Sequence, residues 1–142
     1  MPSNLYSTGG LFFAIIFMGV CGVAVMGPLH GFAADNPSPP LPSSNPLSGE
    51  AEAIAQGARL YRKWCRQCHG TNADGKGVRW AVGARDLRKF WRGFSEFVAI
   101  VVAGRPKKQM PPWGGVLQGE EIMQIGAYLE TLAIAGANWK DH

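Results

Sequence analysis

The chain has 142 residues and a formal net charge of +4, from 14 Lys or Arg and 10 Asp or Glu. This length predicts one small domain with additional segments, and its 19 Gly and 10 Pro indicate much turn and loop. Its three cysteines are too few for a disulfide framework. Every Lys, Arg, Asp and Glu lies after residue 34, so the first 34 residues are a different kind of segment.

The N-terminal segment is uncharged and apolar between residues 11 and 26, LFFAIIFMGVCGVAVM. Gly31 and Ala33 occupy positions −3 and −1 of a cleavage site after Ala33, which predicts residues 1–33 as a signal peptide. Residues 9–28 also approach the roughly 20 apolar residues that span a bilayer, so an uncleaved membrane anchor is the alternative. In both cases the chain after this segment is exported. It is then either free in the periplasm or anchored to the inner membrane.

The next stretch, NPSPPLPSSNPLSG over residues 36–49, has five prolines and no charge. Such a composition favours an extended, semi-rigid spacer. We therefore predict a Pro/Ser-rich linker over residues 34–49, followed by a domain over residues 50–142.

Apolar residues recur with helical spacing in three parts of this domain, which predicts helices over about 49–64, 96–103 and 119–133. Ser48 and Ser95 are the expected N-caps of the first two. The Gly- and Arg-rich stretch 70–94 is expected to be loop with a short helical turn. No useful length alternates with period two, so the fold class is all-α.

The sequence CRQCHG, residues 65–70, fits three kinds of site. A dithiol redox centre usually follows a strand, whereas a helix precedes this motif, and a zinc site needs further ligands. Cys-x-x-Cys-His is the attachment pattern of a c-type haem. We therefore expect one haem c, bound through thioethers of Cys65 and Cys68, with His69 as an axial iron ligand. A large covalent cofactor also supplies the core that a small domain lacks.

The sixth iron ligand decides between functions, because a filled site is typical of electron transfer and an open one of ligand binding or peroxide chemistry. Met110 lies in KKQMPPWGG, where two prolines stiffen the loop, and is the expected ligand. Met123 is expected to fill the core. The prediction is a one-electron carrier without catalytic residues, and the alternative is a haem enzyme or gas sensor with an open or labile sixth site.

Three elements occur in order: CRQCHGTNADGKG, MPPWGG and GEEIMQIGAYLETL. Together, over roughly residues 50–135, the chain resembles a class I c-type cytochrome. The resemblance implies a small, mono-haem cytochrome c fold with His/Met ligation, whose first and last helices cross at right angles. It also implies that Gly57 and Tyr61 meet Ile125 and Tyr128. The chain is similar to soluble cytochromes that serve quinoprotein alcohol dehydrogenases.

One position departs from that family, which often has a proline after the haem motif whose carbonyl accepts the proton of the axial imidazole. Ala84 and Arg85 stand there in this chain. A backbone carbonyl can still accept the bond. Arg85 and Arg88 are also candidates for pairing with the haem propionates, and Trp64, Trp80, Trp91 and Trp113 are expected in the core or the haem pocket.

Basic residues are dense around the haem motif and before Met110. For any single one of them a solvated basic surface is expected. As a set they favour an acidic redox partner at the haem edge. The expected donor is a periplasmic dehydrogenase, such as a quinoprotein alcohol dehydrogenase, or a quinol complex. A terminal oxidase or another cytochrome is the expected acceptor. We expect a monomer that binds no nucleic acid and contacts a membrane only if the N-terminal segment is retained.

Overall fold

The computed structural model describes residues 40–79 and 83–142. The chain divides into two units, Met1–Pro37 and Ser38–His142. The predicted signal peptide or anchor over residues 1–33, and Trp80, lie outside the described residues. Within the described ranges no helix has the length and apolar character needed to cross a bilayer.

The described chain is helical, as predicted. Its helices are α1 (Ala51–Trp64), α2 (Arg66–His69), α3 (Phe94–Ala103) and α4 (Gly119–Thr131), with 3₁₀ turns at Leu87–Lys89 and Pro106–Lys108. Residues 40–79 and 83–142 contain no strand. The first of the 3₁₀ turns is the short helical turn expected in the 70–94 loop, and α3 begins two residues earlier than predicted.

Both predicted N-caps are wrong, because the hydroxyl groups of the two serines bond to carboxylates that are distant in sequence. Glu50 is the N-cap of α1, and the Ser48 hydroxyl instead donates a hydrogen bond to the Glu130 carboxylate of α4. Gly93 is the N-cap of α3, so Ser95 lies inside the first turn of that helix. Neither Glu50 nor Gly93 forms a side-chain hydrogen bond to the first turn of its helix.

The centre of the domain is the crossing of α1 and α4. A methyl group built on Gly57 would lie 1.8 Å from the carbonyl oxygen of Gln124, so the two backbones touch at this point. Tyr61 and Ile125 are buried beside it, and the rings of Tyr61 and Tyr128 have centroids 5.5 Å apart. The contact that the family resemblance implied is therefore confirmed.

The end of the proline-rich stretch is packed on the domain. Asn45 is only 4% exposed. Its Nδ2 donates to the Met123 carbonyl of α4 at 2.9 Å, and its Oδ1 accepts from the Leu47 N–H at 3.0 Å. The packed domain thus includes residues before the predicted boundary at residue 50.

Candidate haem site

Cys65, Cys68 and His69 are held together at one rigid corner between α1 and α2. The Cys65 N–H donates to the Tyr61 carbonyl at 2.9 Å, which continues the hydrogen bonding of α1 into the motif. Cys65 in turn accepts bonds from the N–H groups of Cys68 at 3.2 Å and His69 at 3.0 Å. Both cysteines are free thiols. The two sulfurs and the imidazole therefore belong to one preorganised turn.

The imidazole of His69 is oriented by a backbone carbonyl. Its Nδ1 lies 3.1 Å from the carbonyl oxygen of Arg85, so Nδ1 carries the proton and Nε2 is left as a bare nitrogen. Burial lowers the pKa of His69, and the Arg85 carbonyl partly opposes that shift. A neutral imidazole with a bonded Nδ1 is the usual form of a metal-ligating histidine. The carbonyl bond thus survives without the family's proline.

The thiol chemistry argues against a reactive dithiol. Burial, with a smaller contribution from Cys68, raises the pKa of Cys65 to about 12. Catalytic dithiols have thiolates with pKa values well below that of a free cysteine. The raised pKa of Cys65 is therefore the opposite of what a catalytic dithiol needs.

Met110 lies in a loop that is pinned at both ends. Arg105 and Met110 exchange two backbone hydrogen bonds, with N–O distances of 2.8 and 3.2 Å. Beyond Met110, the N–H groups of Trp113 and Gly114 donate to the last turn of α3 at 3.0 and 3.1 Å. Met110 is half-buried against the apolar core of the domain. Met123 also packs against that core, as expected for a filler residue.

A tryptophan pair brings the methionine loop to the haem motif. Trp64 directly precedes Cys65, and Trp113 follows Met110 by three residues. Their ring centroids are 5.4 Å apart. Both rings, together with Cys65 and Met110, border the same apolar cluster. Cys65 and Met110 therefore border the same apolar region, although they are 45 residues apart in sequence.

Two other predicted pocket residues have different roles. Trp91 is 58% exposed and lines no core. Arg88 is bound by Asp86, with Nε–Oδ1 and Nη2–Oδ2 distances of 2.9 and 2.8 Å. That hydrogen-bonded pair lowers the pKa of Asp86. The guanidinium of Arg88 is thus already paired, so it is a poor candidate for a propionate.

A basic cleft of about 500 Å³ lies beside the haem motif. It is bordered by the end of α1, by α2 and by the loop at residues 76–78. Four of its lining side chains are cationic: Arg62, Lys63, Arg66 and Lys76. Its other described lining residues, among them Gln67, Thr71 and Val78, are uncharged. The cleft therefore presents concentrated positive potential beside the cysteine-bearing turn.

Sequence reasoning missed the polar groups that support this site from a distance. The hydroxyl of Tyr61, which is buried, donates to the Gly70 carbonyl at 2.7 Å and ties α1 to the end of the motif. Asp141, near the end of the chain, bonds to the start of α3. An aromatic in a helix signals packing but not its hydroxyl partner, and nothing near Asp141 in sequence indicates α3.

Comparison with known proteins agrees with this fold. The model of the family described as cytochrome c oxidase, cbb3-type, subunit III matches residues 52–129. Quinohemoprotein alcohol dehydrogenase ADH-IIG of Pseudomonas putida is 34% identical over 109 residues, covering 73% of this chain and 14% of that protein. Cytochrome c55X of Pseudomonas aeruginosa is 35% identical over 82 residues, covering 58% of this chain and 66% of that protein.

A solved structure supports the fold. A chain of a reducing HAO-like protein complex from Kuenenia stuttgartiensis aligns with a TM-score of 0.52 at 20% identity, over 61% of this chain and 46% of that one. The chain spans 14% of the first curated relative and 66% of the second.

A helical fold with the Cys-x-x-Cys-His corner of Cys65, Cys68 and His69 defines a class I c-type cytochrome. The chain belongs to the family described as cytochrome c oxidase, cbb3-type, subunit III. Its cofactor is covalently bound haem c, and its general role is electron transfer. The described residues fit that cofactor, because two free thiols and a bare Nε2 lie on one turn beside an apolar cluster.

Proposed function

We propose that this chain is a one-electron carrier and not an enzyme, with both axial positions of its haem iron filled. Cys65 and Cys68 would form the thioethers, and His69 Nε2 and the Met110 sulfur would be the two ligands that the chain gives to the iron. The contact between Trp64 and Trp113 carries this proposal, because it holds the methionine loop beside the haem motif. A closed His/Met site is one recognised form of cytochrome ligation.

When bound through Cys65, Cys68 and His69, the haem would supply an iron that takes up one electron from a donor and gives one to an acceptor. The part of the chain is to hold the two residues that would bind the iron in fixed positions. His69 is held by the Arg85 carbonyl, and Met110 by its two bonds with Arg105 and by the following Pro111-Pro112. A site that does not rearrange favours fast, reversible transfer, and the apolar cluster excludes water.

We infer that the electron donor is a periplasmic dehydrogenase, such as a quinoprotein alcohol dehydrogenase, or a quinol complex. The acceptor is a terminal oxidase or another cytochrome. The names of the P. putida relative and of the matched family support these two classes. Export to the periplasm rests on the apolar segment before Ala33, with membrane attachment only if residues 1–33 are retained. The intact mass of the exported protein reports haem addition and cleavage after Ala33 together.

The partner docks, on this proposal, through carboxylates that face the basic cleft. Arg62, Lys63, Arg66 and Lys76 line the cleft beside the turn that would carry the thioethers, so an acidic surface bound there would lie close to the bound haem. Charge complementarity mainly raises the rate of encounter and orients the partners. The complex that the monomer forms is therefore expected to be transient and sensitive to salt.

The proposal is tested by the ferric optical spectrum of the haem-loaded protein and of two methionine variants. Wild type should show the far-red charge-transfer band of a methionine sulfur bound to ferric iron. Met110→Ala should lose this band completely, because no sulfur replaces the lost one. Met123→Ala is the matched control: it removes a methionine that packs on the same core and should keep the band.

The opposite results point to the haem enzyme or gas sensor. A high-spin ferric spectrum of wild type, or ready binding of carbon monoxide to its reduced form, would contradict a filled sixth site. Loss of the band in Met123→Ala and not in Met110→Ala would contradict the assignment of the ligand.

A further inference from the structure

Helix α3 receives its N-terminal hydrogen-bond acceptor from the far end of the chain. Its N-cap is Gly93, which has no side chain to accept the orphan N–H groups of the first turn. Asp141 accepts from the Ser95 N–H instead, with distances of 3.1 and 3.3 Å to its two carboxylate oxygens. The Ser95 hydroxyl donates to the same carboxylate. A carboxylate here is also favoured by the positive end of the helix dipole.

Asp141 can act in this way because the C-terminal tail, residues 134–142, is laid down on the domain. Backbone bonds join Ile134 to Arg88 at 3.0 Å, and Asn138 to Phe90 at 2.7 Å and to Gly93 at 3.2 Å. The Asp141 N–H donates to the Ser43 carbonyl at 2.8 Å. The Trp139 ring packs on Phe90 and Phe97, with centroids 5.0 and 5.2 Å apart. The carboxylate is therefore held in place from several sides.

The other end of α3 supports the methionine loop. The carbonyl groups of Val101 and Val102 accept the N–H groups of Trp113 and Gly114, and the Arg105–Met110 bridge follows directly after the helix. α3 has only ten residues, which is too short to be stable by itself in water. The position of Met110 thus depends on what anchors α3.

We propose that Asp141 is a positioning residue for Met110: it anchors the start of α3, and α3 holds the methionine loop against the haem. The inference rests on the proposed ligation of iron by Met110. Loss of the carboxylate leaves α3 anchored mainly by its apolar face, so its last turn and the attached loop open more often. Met110 then leaves the iron more often, while the His69 side of the site is unchanged.

The test measures how fast added imidazole replaces Met110 in the ferric, haem-loaded full chain, at imidazole concentrations where departure of the methionine limits the rate. Asp141→Ala should raise this limiting rate about fivefold, the size expected from removing a typical helix cap. Asp141→Asn should restore a rate close to wild type, because asparagine caps as well as aspartate. Lys140→Ala, an exposed neighbour in the same tail, is the matched control and should not change the rate.

A second measurement needs no variant that could fail to fold. In wild type, hydrogen exchange at the amides of Phe97, Trp113 and Gly114 should report one shared opening, because the helix and the loop move together. If the free energy of opening at the Phe97 amide differed from that at the two loop amides, the inference would be overturned.

The outcomes separate this inference from the proposed function. Suppose that wild type shows the far-red band and that imidazole replaces Met110 in Asp141→Ala at the wild-type rate. The positioning role is then wrong, and the ligation stands. If Asp141→Asn is as fast as Asp141→Ala, the effect is not capping and the inference also fails. Absence of the band from wild type overturns the ligation by Met110, and the positioning role with it.

Discussion

Gly57 is the residue on which the crossing of α1 and α4 depends most directly. Gly57→Ala would improve helix propensity by about 1 kcal/mol, which alone would stabilise α1. The new methyl group, however, would lie 1.8 Å from the Gln124 carbonyl oxygen, and a backbone atom cannot turn aside as a flexible side chain can. The two helices must separate, and overpacking of this kind typically costs about 1–3 kcal/mol. Urea unfolding of the haem-loaded protein should show a net loss of stability.

The control for this prediction is Gly119→Ala at the first position of α4. A methyl group there has no heavy atom within 4 Å, so the variant should be at least as stable as wild type. If Gly57→Ala were also as stable as wild type, α1 and α4 could not be in backbone contact at this position.

At the scale of elements, sequence reasoning succeeded where a signal is local and failed where it is distant. The Cys-x-x-Cys-His turn, the ends of α1 and α3, and the close approach at Gly57 all follow from neighbouring residues or family resemblance. The start of α3 does not, because its acceptor Asp141 lies 46 residues away. Serine is a good cap in a peptide, but in the folded chain Ser95 donates to that carboxylate.

The packing of the segment before residue 50 also depends on distant residues, which leads to a prediction for Asn45. Proline content alone indicates a spacer, whereas Asn45 is bonded to the Met123 carbonyl and the Leu47 N–H. Asn45→Ala removes both bonds and leaves the Leu47 N–H without its acceptor, so it should lower the free energy of unfolding by about 1–3 kcal/mol. Ser44→Ala changes an exposed neighbour and should have no effect in the same urea titration. If Asn45→Ala were as stable as wild type, the segment before residue 50 would be a spacer.

Across the whole molecule, charge is distributed unevenly. Between residues 59 and 92 the chain has ten Lys or Arg and only two acidic residues, Asp74 and Asp86. Carboxylates occur instead at the beginnings of α1 and α4, where Glu52, Glu120 and Glu121 complement the helix dipoles. Helices α1 and α4 thus begin with acidic residues, while α1 ends in the basic cleft at the haem motif. Such an asymmetry orients the molecule before contact as well as attracting a partner.

This asymmetry predicts that the position of a charge matters more than net charge. Arg62→Glu, in the cleft, and Lys140→Glu, in the exposed C-terminal tail, change net charge by the same amount. With a quinoprotein alcohol dehydrogenase as electron donor at low salt, Arg62→Glu should lower the second-order rate constant about tenfold, and Lys140→Glu much less. The difference should shrink near physiological salt, where the Debye length is about 8 Å. Reduction potentials measured on both variants should match wild type, so that the driving force is constant. Equal rate constants for the two variants would mean that net charge governs the encounter and that the partner does not dock at the cleft.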